Sequence, residues 1–293
     1  MSRLFLILIF ISLNLKAQEE LVFNLEEIKA FAKKDSLKKD SINTLIFKTK
    51  WDNDVFMPFD KEEIQFPFKL EFKDAFYASP VSKKNVITSR YGWRWGRQHK
   101  GIDIDLVSGD EVLTMLDGKV RYVGYHPGHG KVIVVRHYNG LETVYAHLSK
   151  FRVKKNEIVK KGQIIGEGGR TGNAKGSHVH IETIYKGNYI NPEYLFSFDG
   201  NLEIKKLIFW ITKKWATPYL HSSKHPSDFV YHDTLEEAMN HKEIDQKIYV
   251  VRPGDTLYDI SRKYNIPISN LCHANSISSE STLKVGQELV LGL

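Results

Sequence analysis

Three short runs carry histidine and aspartate at spacings that suit metal chemistry. "KGSHVHIE" (residues 175–182) sets His178 and His180 one residue apart. If the run is a strand, side chains at i and i+2 share a face, and both imidazoles look into one space. "QHKGIDIDL" places His99 four residues before Asp103, with Ile102 and Ile104 alternating against Asp103 and Asp105 as in a half-buried strand. "VYAHLS" adds His147 on a further β-like run. Imidazole and carboxylate together are borderline ligands suited to zinc, and three protein ligands with a fourth position left for water define a catalytic rather than a structural site. Spacing alone does not separate ligand from neighbour, nor His178 from His180. A lone histidine on a strand is ordinarily a satisfied polar residue, and His126, His129 and His137 are read that way.

The elements that must hold these residues are short β runs. "EVLTMLDGKVRYVGY" turns at Asp117-Gly118 and "KVIVVRHYNGLETVYAH" at Asn139-Gly140, both strong hairpin dipeptides, so an antiparallel β domain is expected over residues 81–196. Before it, residues 18–80 open with a charged, helix-compatible run and turn into an aromatic, extended stretch without recognisable chemistry. After it, residues 197–246 read as a connector, and residues 247–293 have a strand, helix, helix, strand rhythm of their own.

In this order the motifs resemble those of the lysostaphin-type (LytM-like) zinc metallo-endopeptidases of bacterial cell walls: "HKGID", then "TVYAHLS", then "GQIIGEGGRTGNAKG", then "HVHIE", covering residues 89–192. The resemblance implies one zinc per chain, bound by His99, Asp103 and His180, with His147 and His178 beside the metal as catalytic groups. One of these would take a proton from water and the other stabilise the oxyanion. His178 is favoured as the base because it lies one strand pitch from His180, and the reverse assignment stays open. Asp105 and Glu182 are read as neighbours of the site, Glu182 as a group that orients a histidine. The glycine-rich run contains neither GxxxxGK[ST] nor GxGxxG, so it suits a loop beside a substrate groove rather than a phosphate cradle. Pro-segments of such enzymes can lay an asparagine onto the zinc, which makes residues 18–80 a candidate regulatory segment and Asn53 a candidate residue.

The tail, "YVVRPGDTLYDISRKYNIPISNLCHANSISSESTLKVGQELVL", resembles a LysM module, a small α+β fold of βααβ type. Thr256 with Asp259 makes a capping start to its first helix, and Pro267 opens the second. The resemblance implies binding of N-acetylglucosamine-containing glycan, with Gly254, Asp255, Thr256 and Asn275 as candidate contacts. Cys272 is the sole cysteine, so no internal disulfide forms, and it reads as a small packed residue.

Residues 1–17 have the layout of a secretory signal peptide: Arg3, an apolar run over residues 4–15, and the small Ala17, with cleavage expected after it. No later segment is long and apolar enough to span a membrane. The formal charge of +7 is spread along the chain rather than gathered into a basic stripe, which suits an anionic envelope polymer and argues against nucleic acid. The expectation is therefore an exported protein of the periplasm, cell envelope or extracellular space, mainly β with a small α+β module, hydrolysing peptide bonds in peptidoglycan stem peptides or cross-links. The alternative is a non-enzymatic peptidoglycan-binding activator of a separate wall amidase. The choice between a D-alanyl-meso-diaminopimelate and a glycine-glycine bond is not written in the sequence, and the direct cross-link is favoured.

Overall fold

The computed structural model describes residues 51–59, 64–94, 97–240, 247–275 and 277–291. The expected signal peptide and the charged run that follows it lie outside the described residues. Among the described residues no helix is long and apolar enough to cross a membrane.

The fold is built on one antiparallel sheet, whose strands run in the order Ile158–Val159, Gly118–His126, Gly130–His137, Leu141–Leu148, His178–Tyr185, Ile102–Asp105 and Ile87–Ser89; Asn188–Ile190 pairs with the end of His178–Tyr185. Its inner strands carry buried apolar residues on both faces, and every residue of Leu141–Leu148 is buried. Ile133, Val135, Tyr145, Val179 and Ile181 join the main core. The alternate residues Val132, Val134, Val144, Ala146 and Ile184 form a second cluster, as the two-residue period of a strand demands.

Asn139-Gly140 closes a hairpin as expected, with Arg136 opposite Glu142 and Gly140 at φ +84°. Asp117-Gly118 does not. Glu111–Leu113 leaves the central sheet and pairs with Ile164–Glu167 in a three-stranded layer with Lys150–Phe151, while Gly118 pairs with His137 and Val159. The first long hairpin turns instead at residues 127–129, between His126 and Gly130.

The boundaries expected at 80/81 and 196/197 do not separate cores. Phe68–Glu71 pairs with Ile208–Ile211, and Leu70, Phe72, Tyr77, Phe209, Ile211 and Trp215 pack in one cluster with Ile102 and Tyr145. Residues 51–59 lie on the opposite face of the sheet, where Phe56 fills the cluster of Tyr122 and Val134. Arg121, fully buried, donates to the carbonyls of Asp52, Val55 and Phe56 and to the Glu142 carboxylate, which also accepts from Arg136. A buried cation retains its charge only with such partners.

The C-terminal module has the expected βααβ order: Lys247–Val250 pairs with Glu288–Leu291, and the helices Leu257–Tyr264 and Ile268–Asn275 lie between them. Tyr249, Ile260, Leu271, Cys272 and Leu289 belong to its own core. Thr256 caps the first helix, accepting from the Asp259 amide at 3.1 Å, and Asn265 ends it in the left-handed region.

Candidate metal centre and active site

Pairing places the site. Along His178–Tyr185, His180 stands opposite Asp103 on one side and Ala146 on the other, and His178 stands opposite Asp105. His178, His180 and Glu182 share the face on which Ala146 and Ile184 lie. Phe56 covers part of that face. The remainder is an open cleft of about 990 Å³. His99 enters from the strand Arg97–His99. The turn to Asp103 passes so close to the His180 strand that a Cβ on Gly101 would lie 2.2 Å from the Ile181 carbonyl oxygen and 2.9 Å from the His180 ring. Only glycine allows that approach.

His99 Nε2, Asp103 Oδ1 and His180 Nδ1 converge, at 3.0 Å (His99 to Asp103), 3.0 Å (His99 to His180) and 2.7 Å (His180 to Asp103). All three residues are buried. Each ring is held by its other nitrogen. His99 Nδ1 donates to the Arg90 carbonyl at 2.6 Å, and His180 Nε2 donates to Glu182 Oε1 at 3.2 Å, so the converging nitrogens present lone pairs. Asp103 Oδ2 accepts from Arg94 at 2.9 Å, which turns Oδ1 inward. Two neutral imidazoles and one carboxylate oxygen, about 3 Å apart, fit the donor set and spacing of a zinc ion held at about 2.0 to 2.1 Å.

His147 and His178 line the same cleft, rings 4.7 Å apart, and His147 lies 5.9 Å from the His180 ring. His147 Nδ1 donates to the Thr171 carbonyl at 2.8 Å and His178 Nδ1 to the Gly176 carbonyl at 2.9 Å, so the loop of the glycine-rich run orients both. His147 adopts φ +62°, in the left-handed region that few residues other than glycine enter, with its amide bonded to the His129 carbonyl at 2.8 Å.

Electrostatics follow from burial against hydrogen bonding. Burial pushes the His180 pKa down, but the hydrogen bonds and charges of Asp103 and Glu182 outweigh it and raise it to about 9, so a metal held here would have to displace a proton. Burial also opposes ionisation of Asp103, whose pKa the bonds from His180 and His99 nevertheless lower far below the usual carboxylate range. Burial, with the neighbouring His180 charge, lowers His147 to about 4.

The fold thus brings together His99, Asp103, His147, His178 and His180, and Glu182 accepts a hydrogen bond from His180. The sequence reading missed Arg94, Gly101 and His129, whose roles depend on contacts between strands distant in the chain. Asn53 is not among the residues lining the cleft.

Residues 97–192 match the family model described as Peptidase family M23. The chain carries an M23 domain. Residues 249–292 match the LysM domain. The M23 region is similar to DD-carboxypeptidase/endopeptidase Mpg of Neisseria meningitidis, 36% identical over 42% of this chain and 30% of the relative. It is also similar to peptidoglycan DD-endopeptidase ShyA of Vibrio cholerae, 38% identical over 40% of this chain and 29% of the relative. The chain thus spans under a third of these relatives' length. Among solved structures, a zinc-containing peptidase from Vibrio cholerae is 34% identical, covering 40% of this chain and 39% of that one at a TM-score of 0.38. The lysostaphin catalytic domain from Staphylococcus simulans is 29% identical, covering 36% of this chain and 90% of that one at a TM-score of 0.35.

In the LysM domain the glycan candidates divide. Gly254 (φ +88°) has open space around it, and the exposed turn that it forms carries Asp255, which accepts from Tyr249 Oη and the Arg252 amide, and the capping Thr256. Asn275 is buried: its Nδ2 donates to the Leu271 and Val290 carbonyls at 2.7 and 2.8 Å, and its Oδ1 accepts from the Val290 amide at 2.7 Å. With both donors engaged, its amide ties helix to strand, and Asn275 also borders the cleft described above. Ile277 and Gln287 of this domain border the M23 cleft.

Proposed function

We propose that the chain is an exported, zinc-dependent peptidoglycan endopeptidase, held on its polymer by the LysM domain. The convergence of His99, Asp103 and His180 in a cleft that also holds His147 and His178 carries this reading. A binding protein that activates a separate amidase would have no use for the complete set. His99, Asp103 and His180 would hold the zinc, which when bound polarises a carbonyl and acidifies water. His147 and His178 would serve as proton acceptor and oxyanion donor. Each has Nδ1–H on a loop carbonyl, Thr171 for His147 and Gly176 for His178, which leaves Nε2 of each as the nitrogen able to take up and return a proton. The arrangement is the same for the two, so either order of roles fits it. Arg94 and Glu182 fix ligand orientation.

The relatives' DD-endopeptidase names support the D-alanyl-meso-diaminopimelate cross-link as substrate, and Arg3, the apolar run and Ala17 support export. The deciding experiment incubates the mature protein with defined cross-linked muropeptides, with and without chelator, and identifies products by mass. Chelator-sensitive conversion of dimers to monomers is expected. Unchanged dimers at stoichiometric zinc would instead point to the activator.

A further inference from the structure

Beside the three converging donors lies a second polar cluster that the reaction above does not use. His126 precedes the turn at residues 127–129, His129 is its last residue, and both border the cleft. His129 Nε2 lies 3.2 Å from Glu182 Oε1, the oxygen that also accepts from His180 Nε2 at 3.2 Å, while Glu182 Oε2 is buried with no hydrogen-bond partner. His126 Nδ1 and His129 Nδ1 are 3.0 Å apart. Phe56 stacks against both rings, with centroids at 4.5 and 4.8 Å.

With neutral imidazoles, one pattern of protons satisfies this chain beside an ionised Glu182. A carboxylate accepts and does not donate, so His129 and His180 both turn N–H groups toward Oε1. His129 then has a lone pair on Nδ1, which takes the Nδ1–H of His126. Every bond in the line His126, His129, Glu182, His180 is thereby polarised toward the carboxylate, and His180 Nδ1 is left free for metal. Glu182 is 2% exposed and has two hydrogen-bond partners. Without His129 it would keep only the ligand that it is meant to orient, and a buried carboxylate with so few bonds is free to turn.

We propose that His129 is a positioning residue for the metal centre: resting on the zinc reading above, it fixes Glu182 and through it the ring orientation and basicity of His180, with His126 and Phe56 holding it in place. Partners at this remove typically alter metal affinity by about 10- to 100-fold.

The test compares the full mature chain with His129→Phe, which keeps a ring against Phe56 but has no donor, and His129→Gln, whose side-chain amide reaches to about the position of Nε2. Zinc affinity is measured by competition with a chromophoric chelator, and the visible spectrum is recorded after cobalt substitution. The expected result is zinc binding weakened by about 10- to 100-fold in His129→Phe, with shifted cobalt bands, and both readouts restored toward wild type in His129→Gln. Wild-type affinity and spectrum in His129→Phe would overturn the proposal, as would an equal loss in both variants, because a packing role is indifferent to the donor. If His129→Phe fails to fold, the flexible His129→Met replaces it and the same comparison with His129→Gln decides. A wild-type chain that binds neither zinc nor cobalt would refute the metal reading itself, an outcome distinct from a wild type that binds and a variant that does not differ.

Discussion

At the scale of single residues, His178 and His180 are the sharpest contrast, since they share a strand face yet differ in what their nitrogens meet. His180 Nδ1 lies within 3.0 Å of both His99 Nε2 and Asp103 Oδ1, whereas His178 Nε2 comes no nearer to Asp103 than 3.7 Å. His180→Ala removes one of three donors and is expected to lose zinc. His178→Ala should keep zinc near one per chain and lose turnover by about 10² to 10⁴, the range of a lost general acid or base. Metal analysis beside muropeptide turnover checks both, with His99→Ala expected to follow His180→Ala and His147→Ala to follow His178→Ala. Zinc lost from His178→Ala and retained by His180→Ala would exchange the two roles.

At the scale of elements, the hairpin closed by Asn139-Gly140 carries a titration far from the cleft. His137 is fully enclosed, with Nδ1 on the Asp117 carbonyl at 3.0 Å and Nε2 on Thr143 Oγ1 at 2.8 Å, and burial lowers its pKa to about 4. The unfolded chain takes up a proton at this histidine near pH 6.5, while the folded chain declines it until about pH 4. The unfolded state therefore binds more protons in that window, and stability falls as pH drops from about 6.5 to about 4. Denaturant unfolding at pH 7 and pH 4.5 should show His137→Gln losing about 2 kcal/mol less than wild type between the two, from the shift at 1.36 kcal/mol per unit. An identical loss in both would mean that His137 does not carry this dependence.

At the scale of the whole molecule, the two matched domains have separate cores. If the LysM domain tethers the chain as proposed, it adds local concentration rather than chemistry, and deleting residues 247–293 should leave the remaining core folded, remove most retention on intact sacculi, and preserve cleavage of small soluble muropeptides. Sedimentation with sacculi and turnover on soluble dimers separate the two effects. Equal loss in both would show that the cleft border formed by Ile277 and Gln287 holds substrate directly.

The sequence by itself determined the elements and the reacting types. Period-two alternation in "GIDIDL" put Asp103 on the face opposite Ile102 and Ile104, Asn139-Gly140 dictated its hairpin, and the ordered histidine motifs carried the resemblance. Each is written in neighbouring residues. Tertiary structure decided whatever depends on residues distant in the chain. Asp117-Gly118 fails as a hairpin because Glu111–Leu113 finds its partner in Ile164–Glu167. Residues 64–80 and 197–240 join the catalytic core through the pairing of Phe68–Glu71 with Ile208–Ile211. His129, one more strand-turn histidine by local rules, acquires its partner only when residue 182 is folded against it, since hydrogen bonding is a matter of distance in space and leaves no period in the sequence.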